Sequence, residues 1–179
     1  NLLPEADLPT YKVTDYVRTI DLATGRTATQ QTRTAQFAFA GNLVTKPHAG
    51  LDGNVAYTVN AEGRVTRGGD RDAKDRHIEM LHHPVTIVRA TLAPGATITN
   101  LRQQGNHDIV DVSTAQGETV TLAVNRATRP PSRVQSKAAH ANLGDVTITT
   151  AFENYEDVSG IKLPARLVTT VEDYPQLTI

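Results

Sequence analysis

The sequence predicts a mainly β chain of the α+β kind, an antiparallel curved sheet with two short helices over about residues 70–92 packed on it. Three observations lead there. Threonine and other β-branched residues recur in short runs broken by Gly, Asn, Asp and Pro, which is the composition of strands and turns. Past Ala96 the apolar residues alternate with period two, and only one stretch in the chain reads as helical. Tryptophan and cysteine are both absent, so packing and hydrogen bonds stabilise the fold without disulfides or thiolate metal sites.

Residues 11–22 and 26–39 read as two long strands joined at Ala23-Thr24-Gly25, with Asp21 supplying a turn-forming carboxylate. Residues 42–54 contain Pro47, Gly50 and Gly53 and read as loop. Val55 to Val59 and Arg64 to Thr66 then make a shorter hairpin around Glu62-Gly63. Helix starts near Asp70, whose carboxylate can accept from free N–H groups of the first turn, and runs toward His82. His83-Pro84 suits a restart with proline at the first helical position, and Val85, Val88 and Leu92 keep helical spacing until Pro94-Gly95.

Beyond the helices, Val120, Leu122 and Val124 share one strand face, Val146 and Ile148 another, and Leu163, Ala165, Leu167 and Val171 a third. Turns at 104–106, 115–117, 129–131, 142–144 and 159–160 have the spacing of an antiparallel meander. A chain of 179 residues fits one domain, taken here as 1–179, and no linker, repeat or low-complexity tract divides it. It starts at Asn1, as if a leader or upstream segment had been removed, and Leu177-Thr178-Ile179 reads like an unfinished strand, so a module of a longer product is expected.

The formal charge of −1 has its acids and bases mixed along the chain, which gives no electrostatic footprint for nucleic acid or an anionic membrane face. No apolar run approaches the roughly 20 residues that cross a bilayer as a helix.

No complete catalytic constellation stands in the sequence. Glu79 lies three residues before His82 and four before His83, so a carboxylate and an imidazole could share a helix face and hold a cation. His77 is off that spacing and His-Glu-x-x-His does not occur, so helix-end capping and surface hydrogen bonding explain these residues more simply. His107 and Asp111 alternate to one side of a strand, as a general-base pair or as a solvated face. Glu153, Glu156 and Asp157 flank Tyr155 without calcium-loop spacing and suit a charged turn. Gly63, Gly68 and Gly69 match neither phosphate-binding glycine pattern. Ile78, Leu81, Val85, Val88 and Leu92 are the ligand-binding candidates, since helices across a curved sheet can line an apolar pocket, although the same side chains would also form an ordinary core.

Residues 118–171, with Arg-Pro-Pro-Ser-Arg-Val at 129–134 and Phe-Glu-Asn-Tyr-Glu-Asp-Val-Ser-Gly-Ile-Lys-Leu-Pro-Ala-Arg at 152–166, resemble the closing strands of lipoprotein-sorting-type periplasmic domains. That resemblance implies a curved antiparallel half-barrel with helices over its concave side. Together with Gln-Thr-Arg-Thr at 31–34, Gly-Leu-Asp-Gly-Asn-Val-Ala-Tyr at 50–57 and Leu-His-His-Pro-Val-Thr-Ile-Val at 81–88, the pattern is similar to the region ahead of the catalytic domain in some exported bacterial metallo-β-lactamase-fold hydrolases. Their zinc signature, His-x-His-x-Asp-His, is not in this sequence. The resemblance therefore implies a non-catalytic accessory domain, periplasmic or secreted, with no cofactor of its own. Zinc is expected only in a catalytic hydrolase domain that lies downstream or on another chain. A stand-alone periplasmic carrier of a lipid or other apolar small molecule is the second expectation. An enzyme using His77, Glu79, His82 or His83 with a bound metal is the third.

Overall fold

The computed structural model describes residues 11–35, 43–140 and 144–179. It is mainly β, with antiparallel strands in two sheets and two helices, and neither sheet closes into a barrel. The chain forms two compact units, Asn1–His77 and Ile78–Ile179.

In the first unit, β1 (Tyr11–Ile20) and β2 (Thr27–Ala35) pair as the expected hairpin. Asp21 closes it: its carboxylate accepts from the backbone N–H groups of Ala23 at 2.9 Å and Thr24 at 3.3 Å and from the Thr24 hydroxyl at 2.6 Å. These bonds, the Thr24 hydroxyl first, hold the Asp21 pKa below the ordinary carboxylate value. The part of the predicted second strand beyond Ala35 lies outside the described residues.

Residues 43–54 depart from the loop expectation. They contain β3 (Val44–Thr45) and β4 (His48–Asp52), both paired with β2, and β4 pairs onward with β5 (Val55–Val59) and through it with β6 (Val65–Arg67). β3 and β4 keep a single register against β2. Pro47 interrupts them because it has no N–H, yet its carbonyl still accepts from Gln31 N at 3.2 Å. Gly50, which also argued for a loop, is buried between its strand partners Ala28 and Tyr57. A Cβ built there would lie 2.3 Å from both the Thr27 carbonyl oxygen and the Tyr57 hydroxyl. The glycine is there because the neighbouring backbone and the tyrosine ring occupy the space a side chain would need.

Helix α1 (Asp70–Leu81) begins where the sequence indicates, but the bond seen at its start is made by a different carboxylate. Asp72, not Asp70, reaches back to accept from Gly69 N at 2.8 Å, and both acids stand in the first turn, where the helix dipole favours negative charge. Among the described residues of this unit, Ala35, Leu51, Ala56 and Ala73 are the buried apolar side chains.

The second unit is one seven-stranded antiparallel meander preceded by α2 (Pro84–Leu92). Its strands are β7 (Thr97–Gln104), β8 (His107–Ser113), β9 (Thr119–Asn125), β10 (Pro131–His140), β11 (Gly144–Val158), β12 (Ile161–Val171) and β13 (Tyr174–Thr178), each paired with the next. Val112 faces Val120, and Leu122 stands opposite both Val110 and Val134. One sheet face thus carries a continuous apolar row, and Ile87 of α2 with Leu81 of α1 completes the core against Val112, Val120, Leu122, Val134 and Phe152.

Positive-φ residues shape β11 and the turn that follows it. Asn154 takes φ 55°, and Phe152 and Tyr155, an odd number of residues apart, both pack on the core. The tight turn at Ser159 (φ 55°) and Gly160 (φ 83°) joins Val158 to its partner Ile161, as two positive-φ residues do in a primed hairpin turn. Of the predicted face of β12, Leu163, Leu167 and Val171 are half-buried, whereas Ala165 is exposed. The predicted turn at 142–144 falls largely outside the described residues.

Candidate functional site

The residues singled out at the helix junction go to different tasks. His77, in the first unit, hydrogen-bonds through Nε2 to Asn54 Oδ1 at 3.1 Å. Glu79 is exposed. His83 caps α2: it has an extended backbone, its Nδ1 accepts from Val85 N at 3.3 Å, and Pro84 takes the first helical position. Among the described residues no three His, Asp or Glu side chains gather as a metal-binding group.

His82 is different. It is only 7% exposed, one residue past the end of α1, and its ring lies over β10 and β11. Nε2 is 2.9 Å from the Ser136 hydroxyl and Nδ1 is 2.9 Å from the Thr150 hydroxyl, which is in turn 2.9 Å from the Thr169 hydroxyl. A hydroxyl can donate or accept, so either neutral tautomer of the imidazole is satisfied. Ser136 and Thr150 occupy core-facing slots: Ser136 follows Val134 at the strand period, and Thr150 stands between Ile148 and Phe152. They are themselves buried.

A serine hydroxyl within hydrogen-bond reach of an imidazole is the starting geometry of a nucleophile and its base. Here the pair faces the core, where Ser136 is 4% exposed, so the bonds tie the helix junction to the sheet. The junction is fastened a second time by Thr86, whose hydroxyl donates to the carbonyls of Met80 and, at 3.0 Å, His83.

The two hydroxyls that the His82 ring meets, Ser136 and Thr150, lie 54 and 68 positions away in the sequence. The signal that could find it is two polar residues, Ser136 and Thr150, at positions where the strand alternation calls for apolar ones, because buried hydroxyls require partners.

The five apolar candidates do not share one environment. Leu81 belongs to the core cluster, Ile78 and Val85 are half-buried, and Val88 and Leu92 are 37% and 77% exposed. The helix buries Pro84, Thr86 and Ile87 and leaves Val88 and Leu92 outside. A short turn leads from Leu92 to β7, whose eight residues are all exposed, including Ile98 at 54% and Leu101 at 72%. This edge strand is bulged between Thr99 and Arg102, with Asn100 at φ 54°, a feature that discourages continuous pairing with a further strand.

On β8, Asp111 is held by other partners than His107. Its carboxylate accepts from Asn100 Nδ2 at 2.8 Å, the Thr121 hydroxyl at 2.8 Å and two guanidinium nitrogens of Arg102 at 3.2 Å. The Asn100 and Thr121 bonds, then Arg102, lower its pKa against an opposing desolvation. A carboxyl depressed in this way contributes stability above its ordinary value of about 3.9 and loses it as pH falls through the folded value. Asp111→Asn should therefore show a shallower loss of stability than the parent protein in acid, measured by urea unfolding at a series of pH values.

Glu153 is paired with Arg166 across β11 and β12, and Asp157 accepts from Gly160 N at 2.8 Å within the hairpin turn. Tyr155 between them is half-buried, and its hydroxyl donates to the Pro131 carbonyl at 2.8 Å. Burial pushes its pKa up to about 12. The native state therefore keeps the phenolic proton longer than the unfolded chain, whose tyrosines ionise near about 10. Its contribution is intact below pH 10 and is lost as pH rises toward about 12. A spectrophotometric titration should resolve a phenolate with a midpoint near 12 that Tyr155→Phe removes; a wild-type curve unchanged by that substitution would refute the burial argument.

No helix among the described residues is long and apolar enough to cross a membrane. Comparison of the chain with protein-family models, curated proteins and solved structures gave no match.

Proposed function

We propose that this chain is a non-catalytic accessory domain, periplasmic or secreted, that docks on the catalytic domain of a metallo-β-lactamase-fold hydrolase. The zinc of that hydrolase belongs to the partner domain. The observation that carries this reading is the exposure of Val88 and Leu92 of α2 and of Ile98 and Leu101 of β7, four large aliphatic side chains left in solvent within 14 consecutive residues. Exposed apolar side chains mark interaction sites where they form a contiguous patch, as these four are proposed to do. The resemblance of residues 31–34, 50–57, 81–88 and 118–171 to the region ahead of such catalytic domains supplies the partner's identity.

The test uses the native product isolated from the producing cells, beside a form carrying Leu92→Lys and Leu101→Lys. Wild-type material should bring zinc and hydrolase activity with it, in a longer chain or in a bound second one. The double variant should keep its circular dichroism spectrum and thermal midpoint but lose the associated chain or, if the two are fused, activity. Native protein consisting of these 179 residues alone, without zinc or a companion chain, would overturn the proposal. Saturable one-to-one binding of an apolar dye by that material would favour the carrier of an apolar small molecule instead.

A further inference from the structure

We draw no further inference here: the strongest candidate, the buried side-chain cluster of His82, Ser136, Thr150 and Thr169 beneath the helix junction, belongs to the site already described, and its hydroxyl-to-imidazole bonds lie within the core.

Discussion

Replacing His82 with alanine is expected to lower the unfolding free energy by about 3 kcal/mol, as the sum of a cavity and of buried hydroxyls left short of partners. The imidazole fills a buried position and bonds two strands at once, Ser136 on β10 and Thr150 on β11, both at 2.9 Å. Thr150 keeps its bond to Thr169 in the variant, so Ser136 carries the greater share of the polar penalty. Urea unfolding measures the loss. A double-mutant cycle with Ser136→Ala separates the two terms, because residues in direct contact couple by about 0.5–3 kcal/mol. A loss below about 1 kcal/mol at unchanged m would show that the junction does not depend on this ring. Substituting both His82 and His83 by alanine tests the metal-enzyme expectation: loss of stoichiometric metal and of activity with the fold intact would support it.

Gly50→Ala is expected to cost about 1–3 kcal/mol although it adds a single methyl group, and overpacking of a filled site is the reason. Its Cβ would lie 2.3 Å from the Tyr57 hydroxyl, 2.4 Å from Tyr57 Cζ and 2.3 Å from the Thr27 carbonyl oxygen. Removing the ring does not solve the problem, because the Thr27 contact is with backbone held in the β2–β4 ladder. Gly50→Ala combined with Tyr57→Ala should therefore remain less stable than Tyr57→Ala alone. Equal midpoints for those two proteins in thermal unfolding would show that the ring was the only obstacle.

These two positions also mark where sequence reading runs out. Gly50 and Pro47 speak for loop because one lacks a side chain and the other lacks an N–H, and both are poor in a strand interior. The ladder tolerates them: Pro47 contributes through its carbonyl, and Tyr57 fills the space over Gly50. His82 reads as a helix-end cap or surface hydrogen-bonding residue, because a histidine near a helix C-terminus interacts well with the local dipole. Its burial depends on strands β10 and β11, whose Ser136 and Thr150 lie 54 and 68 positions away.

What the sequence by itself determined are the features whose cause is local. The β1–β2 turn follows from Asp21, whose side chain bonds the next backbone amides. The division of the helices follows from His83-Pro84, and the β11–β12 turn from Ser159-Gly160. The antiparallel meander follows from apolar alternation between closely spaced turns. Tertiary structure alone decided which aliphatic residues of α2 are covered, since Ile87 and Val88 are adjacent in sequence and only the position of the sheet makes one core and the other surface. It also decided the partners of His82 and of Asp111, because hydrogen bonds between strands depend on register, and register is set jointly by every strand in the sheet.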